Sequence, residues 1–194
     1  MPDLVVKIGG GLLAALEDLD RVLAAIASLA RSCRLLVVPG GGPFADTVRG
    51  VDRRVGLPDA AAHWMAVLAM DQYAHLLAAR LETAAIVSTL AEAIVALEAG
   101  RIPVLAPSRW LQEEDPLPHT WDVTSDSIAA WIAGVSGARE LVLVKPRGAT
   151  GELVDRCFAR VLPWHVAPTF VTADAVDAAF AQIAGRVNPD LETT

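Results

Sequence analysis

The 194-residue chain predicts an α/β fold built on a mainly parallel sheet. Short apolar runs alternate with longer helical patterns, which is the spacing of repeated β-α-β units. The runs are rich in Val, Ile and Leu with little polar alternation, as strands covered on both faces require. No repeat, low-complexity tract or linker interrupts this pattern, so one domain over residues 1–194 is expected.

Strands are predicted at Leu4 to Ile8, Arg34 to Val38, Ala84 to Ser88, Ile102 to Ala106, Glu140 to Lys145 and Pro168 to Val171. Helices are predicted at roughly 19–32, 44–54, 59–81, 90–99, 125–133 and 173–185. Asp18, Ser88 or Thr89, and Thr172 offer side-chain oxygens where the first, fourth and last of these begin. Gly100 closes the fourth, as a residue free to adopt a left-handed backbone does. Gln112 to Trp121 holds two prolines and three acids and reads as one long irregular stretch, a candidate substrate loop.

Composition narrows the function classes. A net charge of −7 argues against a nucleic-acid surface. No apolar run approaches the roughly 18–20 residues of a membrane span, and Met1-Pro2-Asp3-Leu4 has no basic leader, so a cytoplasmic protein is expected. Cys33 and Cys157 read as reduced thiols. His63, His75, His119 and His165 show no metal-ligand spacing, and no metal ligand set is visible.

Lysine usage is the sharpest signal. The chain has two lysines, Lys7 and Lys145, against fourteen arginines, and each closes a predicted strand. Open α/β sheets bind ligands at the carboxyl ends of their strands. An ammonium is a compact, mobile point charge suited to a phosphoryl group in transit, whereas guanidinium is a rigid fork. Two glycine clusters follow strands: Gly9-Gly10-Gly11 after the first and Gly40-Gly41-Gly42 after the second. Such loops bring backbone N–H groups close to an anion. Gly9 to Ala14 also fits a loose dinucleotide fingerprint. That pattern needs an acid at the end of the second strand, where Val37-Val38-Pro39-Gly40 stands instead. A third motif is Trp121-Asp122-Val123-Thr124-Ser125-Asp126: Thr124 or Ser125 can cap the following helix, and Asp122 and Asp126 can face one crevice. Trp110 and Trp121 flank the irregular stretch and could cover a flat ring.

Lys7-Ile8-Gly9-Gly10, the Gly40-Gly41-Gly42 loop, Asp122 through Asp126 with Ala129-Ala130, and a lysine closing a later strand resemble, in that order, the amino acid kinase superfamily. The resemblance spans nearly the whole chain. It implies a three-layer αβα sandwich and an ATP-dependent kinase using Mg²⁺. It also implies a small-molecule phosphate acceptor and a homo-oligomer. By that resemblance Lys7 and Lys145 stabilise transition-state charge and Asp126 spaces them. Gly9, Gly10, Gly40, Gly41 and Gly42 meet phosphate or substrate, as do Thr124 and Ser125. Ala62 to Tyr73 together with Trp121 to Ser127 are more narrowly similar to the branch that phosphorylates an aminomethylfuran-methyl phosphate in methanofuran biosynthesis, part of one-carbon metabolism. Asp122 would there pair with the substrate ammonium. One departure stands out: Lys145 is followed by Pro146-Arg147-Gly148-Ala149-Thr150-Gly151, where the family has an Asp-Gly pair on the nucleotide side. Lys145, Arg147 and Gly148 are the nucleotide contacts this leaves. A carboxylate or nucleoside monophosphate kinase, and a non-catalytic ligand-binding or storage protein, are the competing readings.

Overall fold

A five-residue run that is apolar but for Lys7 and buried throughout, Leu4–Ile8, forms β1 near the middle of a parallel sheet in the computed structural model, which describes residues 1–150 and 153–187. Gly151, the end of the segment that departs from the family pattern, lies outside the described residues. The remaining strands are β2 (Leu35–Pro39), β3 (Ala84–Val87), β4 (Ile102–Leu105), β5 (Glu140–Lys145) and β6 (Ala167–Thr172). They run side by side in the order β3-β4-β2-β1-β5-β6, all parallel. The helices are α1 (Leu16–Leu29), α2 (Gly42–Val55), α3 (Asp59–Arg80), α4 (Leu90–Glu98), α5 (Ser108–Glu114), α6 (Ser125–Val135), α7 (Phe158–Val161) and α8 (Val176–Val187), and a 3₁₀ turn spans Gly10–Ala14.

The pleat of β1 separates two cores. Leu4, Val6 and Ile8 pack with α1 and α8 on one face, while Val5 packs with α4, α5, α6 and α7 on the other. Helix α3 contributes to both layers, with Val67 and Met70 on the second and Tyr73, Ala74 and Leu77 on the first. A sheet buried on both faces explains why its strands are nearly continuous Val, Leu and Ile.

Chain order reverses at β1. From β1 the chain passes to β2 on one side, and from β5, which pairs with the other side of β1, it passes outward to β6. The carboxyl ends of β1 and β5 therefore flank a topological switch point, where open α/β sheets leave a crevice. Lys7 and Lys145 stand at those two ends.

Local chemistry moves several boundaries. Helix α1 begins at Leu16 without a side-chain cap, and Asp18 sits in its first turn, held by Arg147 at 2.9 Å. Helix α4 carries a reciprocal cap: Thr89 Oγ1 accepts from the Glu92 N–H, and Glu92 Oε2 accepts from the Ser88 N–H. Gly100 closes α4 at φ +68° as expected. Helix α8 starts at Val176, after Thr172 has completed β6. Helix α5 occupies Gln112 to Glu114, so the irregular connection begins only at Asp115. Asp71 sets the start of α5 by accepting from both the backbone N–H and the hydroxyl of Ser108.

Candidate active site

Lys7 on β1 lies in register with Leu143 on β5, so Lys145 stands two residues further along the adjacent strand. A two-residue offset preserves the face of the sheet. Both side chains thus point toward α6, with Val5 and Leu143 beneath them in that core. Helix α6 can approach closely because Ala129, Ala130 and Ala133, all fully buried, form its sheet-facing stripe.

Asp126, in the first turn of α6, meets both lysines. Lys145 Nζ donates to Oδ2 at 2.8 Å, and Lys7 Nζ lies 2.9 Å from Oδ1 as an ion pair not aligned as a hydrogen bond. Lys7 is 4% exposed and Asp126 6%, so this is a buried triad rather than a solvated surface pair. Burial pushes the Asp126 carboxyl upward, but Lys7 and Lys145 outweigh it and hold the group below the usual aspartate range. Burial, joined by repulsion from Lys7, pulls the Lys145 ammonium below the ordinary lysine value against the opposing pull of Asp126. Two cations share one anion here, which leaves a net positive charge directed at the switch-point crevice.

The glycine loops interlock. A Cβ on Gly10 would lie 2.2 Å from the Gly42 nitrogen, and one on Gly40 would lie 2.7 Å from the Gly10 nitrogen. No side chain fits at either position, and Gly42 also has φ +54°. The Gly9 N–H donates to Val144 O at 2.9 Å and the Gly40 N–H to Ile8 O at 2.8 Å, so these two glycines brace the loops. Gly10 and Gly11 open the 3₁₀ turn, and Gly41 and Gly42 open α2. N–H groups at the start of a helical segment have no acceptor within it, and the helix dipole favours an anion there.

A residue that the sequence did not point to organises the other wall. Asp155 accepts, on Oδ2, from the Thr124 N–H, the Thr124 hydroxyl and the Ser127 N–H. On Oδ1 it accepts from the Ser127 hydroxyl and the N–H groups of Cys157 and Phe158. One carboxylate thereby pins the start of α6, and with it Asp126, to the start of α7. Thr124 Oγ1 itself accepts from the Asp126 N–H at 3.3 Å. The only sequence signal for Asp155 is an acid before a short helix. Nothing in it shows a reach of about 30 residues back to Thr124 and Ser127.

A cavity of about 260 Å³ opens between the lysine, the glycine loops and helices α2, α3 and α6. Lys7, Gly10, Gly41, Gly42, Thr124, Ser125 and Asp126 all line it, so most of the expected site residues converge. Asp122 does not: its side chain is exposed outside the cavity and its N–H turns to Thr120 Oγ1, because Val123 takes the inward, buried position. Among the described residues the acids that line the cavity are Asp126 and Asp46. Trp121 lines it too, with its indole N–H bonded to Asp52 at 2.8 Å and the Arg49 guanidinium 5.0 Å over its ring. Trp110 is instead core, packed edge-to-face on Trp131. His63 forms a cavity wall and stacks on His119 at 4.5 Å; burial and its neighbour His119 lower its pKa. The stacked His63–His119 pair tethers the α5–α6 connection to α3.

Beyond Lys145, a second hollow of about 880 Å³ is lined by Gly11, Ala14 to Asp18, Pro146 and Arg147. Pro146 packs where a Cβ on Gly11 would stand, at 2.9 Å. The Arg147 guanidinium, largely exposed, spans back to Asp18 at the start of α1, and Gly148 adopts φ +70°. Among the described residues no three His, Cys, Asp or Glu side chains are grouped to hold a metal ion. No described helix is long and apolar enough to cross a membrane.

A buried Lys-Asp-Lys triad stands at a switch point of an open, all-parallel α/β sheet and faces two interlocked glycine loops. The chain belongs to the amino acid kinase family, whose sequence profile matches residues 4–146. It is 30% identical over 141 residues to the [5-(aminomethyl)furan-3-yl]methyl phosphate kinase of Methanocaldococcus jannaschii, covering 72% of this chain and 63% of that protein. It is also 30% identical over 148 residues to a uridylate kinase of Methanoculleus marisnigri, covering 73% of this chain and 58% of that one. The matched segment thus spans less than two-thirds of the length of these curated relatives. Among solved structures, uridylate kinase from Archaeoglobus fulgidus superposes with a TM-score of 0.70 at 17% identity, covering 92% of this chain and 95% of that one. UMP kinase from Bacillus anthracis does so with a TM-score of 0.69 at 15% identity, covering 95% and 93%. These likenesses establish the three-layer α/β fold.

Proposed function

We propose that the chain is an ATP-dependent kinase whose acceptor is a phosphomonoester, namely [5-(aminomethyl)furan-3-yl]methyl phosphate, and whose product is the diphosphate. The observation that carries the phosphoryl-transfer reading is the buried Lys7–Asp126–Lys145 triad facing the free N–H groups at the starts of α2 and the 3₁₀ turn. The choice of acceptor is supported by the 30% identity to the kinase named for that compound, and methanofuran-type cofactor biosynthesis is the setting we propose for it.

In this mechanism an oxygen of the acceptor phosphate, lying in the 260 Å³ cavity, attacks the γ-phosphorus of ATP as the bond to the β–γ bridging oxygen breaks. The acceptor dianion and ATP become a diphosphate ester and ADP, with no proton gained or lost. Catalysis then lies in alignment and charge stabilisation. Lys7 reaches the transferring group from the acceptor side and Lys145 from the nucleotide side, while Asp126 fixes their separation. Gly10, Gly41 and Gly42 supply backbone donors, and Gly9 and Gly40 hold those loops together.

The hollow beside Arg147 is lined by one guanidinium and two carboxylates, Glu17 and Asp18, and among the described residues Arg147 is ion-paired through Asp18. Arg147 is largely exposed, so a polyphosphate there would take this guanidinium from Asp18. We place the nucleotide there: Arg147 and Lys145 would hold its phosphates, and Mg²⁺ bound with it would supply further neutralisation of their charge. Helix α3, with Met65 and Leu68 exposed, is the surface we propose for self-association.

The test is an ATP turnover panel with the aminomethylfuran phosphate, simple phosphomonoesters, UMP and free carboxylates as acceptors. Diphosphate formation with the aminomethylfuran phosphate as the preferred acceptor supports the reading. Preferred turnover of UMP or a carboxylate moves the protein to another branch of the family, and ligand binding without turnover makes it a binding protein.

A further inference from the structure

Resting on the phosphomonoester reading above, we infer that Asp46 selects an acceptor that carries a cationic amine, by pairing with that amine at the outer end of the cavity. Among the described residues Asp46 and Asp126 are the two carboxylates lining this space, beside the Arg49 guanidinium, and both oxygens of Asp126 are taken up by buried ammonium groups. Asp46 stands on the cavity side of α2, four residues after Gly42. Helical rise separates those two positions by about 6 Å. Gly42 and Lys7 mark the anion-binding end, so the wall of α2 presents a donor end and an acceptor end about one turn apart. A compact phosphate ester with an ammonium group on the far side of a small ring matches that spacing in length and charge order.

The neighbours of Asp46 leave it suited to this role. Arg49, one turn on, reaches back to Asp46 Oδ1 at 3.0 Å and lies over Trp121, whose indole is tied to Asp52. Asp46, Arg49 and Asp52 recur every three residues and so form one stripe along α2, facing the α5–α6 connection. The Asp46–Arg49 pair is solvent-exposed on both sides, so it is weak and an incoming ammonium can share or displace it. A buried partner would compete far harder. The α3 wall presents His63, which stacks on His119. Arg49 lines the cavity as well, so a neutral acceptor leaves the Asp46–Arg49 pair in place, whereas an ammonium draws Asp46 away from it.

The experiment uses two acceptors, the aminomethylfuran-methyl phosphate and its analogue with methyl in place of aminomethyl, and reads the ratio of their kcat/KM values together with the ratio of their Kd values. Wild type is expected to prefer the amine in both ratios. Asp46→Asn is expected to cut that preference about tenfold, from loss of a charge-assisted hydrogen bond. Asp46→Glu restores part of it, and Asp122→Asn, altered outside the cavity, leaves the ratio where it was. Equal losses for both acceptors in Asp46→Asn, or a wild type that does not discriminate in Kd, overturn the inference. Phosphoryl transfer to neither acceptor while the Kd ratio still falls in Asp46→Asn overturns the kinase reading alone.

Discussion

Lys7 and Lys145 project from adjacent parallel strands on the same face of the sheet, one pleat repeat out of register, and meet the two separate oxygens of Asp126. Two ammonium groups this close repel, and the carboxylate between them makes the arrangement stable enough to bury. The two point charges flank the Asp126 carboxylate at the switch-point crevice. In the proposed reaction their excess positive charge stabilises the transferring group.

Lys7→Ala and Lys145→Ala should each lower kcat by at least about two orders of magnitude, since a stabilising donor that acts in the transition state contributes roughly 3–4 kcal/mol. Circular dichroism should show both variants folded. The alkaline limb of the wild-type kcat profile should begin below the ordinary lysine value of 10.5, because burial and Lys7 lower the Lys145 pKa and deprotonation removes its charge. A profile flat to that pH would separate Lys145 from the rate.

Asp126→Asn should cost both activity and stability. It leaves two buried ammonium groups facing an uncharged amide, a loss of about 3 kcal/mol, or roughly 10 °C in Tm for a chain of this size. The native carboxyl titrates below its unfolded value. Its contribution is therefore present above the unfolded aspartate pKa and lost as pH falls through the lower native one. Urea titrations at pH 7 and pH 3 should show the gap between wild type and Asp126→Asn closing at the acid end. A constant gap would mean that Asp126 stabilises by shape alone.

Asp155→Ala should destabilise the protein by about 2–3 kcal/mol, because it strips the acceptor from two helix starts and two hydroxyls at once. It should also lower kcat more than it raises KM, since the start of α6 positions Asp126. Denaturant unfolding alongside steady-state kinetics on the folded enzyme separates the two effects. A stability loss with unchanged kcat would confine Asp155 to capping.

Tyr73→Phe should raise stability by about 1 kcal/mol. Tyr73 is wholly buried on α3, and its hydroxyl has no hydrogen-bond partner among the described residues. Burial alone pushes its pKa well up. Removing a desolvated, unpaired hydroxyl relieves its penalty. A lower urea midpoint for the variant would show that the hydroxyl is satisfied.

The strands and the lysines were legible in the sequence because both signals are local. Leu4–Ile8 and Glu140–Lys145 form as expected, since a run of buried branched residues has little other outcome in a sheet covered on both faces. The lysines stood out against an arginine-rich background, and the close approach of Gly10 to Gly42 gives a steric reason for glycine at both loops. What stayed hidden depends on long-range placement. Asp122 lies outside the cavity because Val123 turns into the core between it and α6, a one-residue phase that spacing does not encode. Asp46 and Asp155 carry no local sequence signal, and only the fold brings Asp46 to the cavity and Asp155 to the start of α6. The short α5 and α7 escaped notice because each holds at most two turns and takes its start from distant or backbone groups.

Transfer of label from γ-³²P-ATP to the aminomethylfuran-methyl phosphate, followed in wild type and in the Lys7→Ala/Lys145→Ala double variant, tests the central claim most directly. The predicted result is label in the diphosphate with wild type and a loss of at least three orders of magnitude in the double variant, about 4 kcal/mol or more of transition-state stabilisation. Diphosphate formed at a near wild-type rate without either lysine would contradict it.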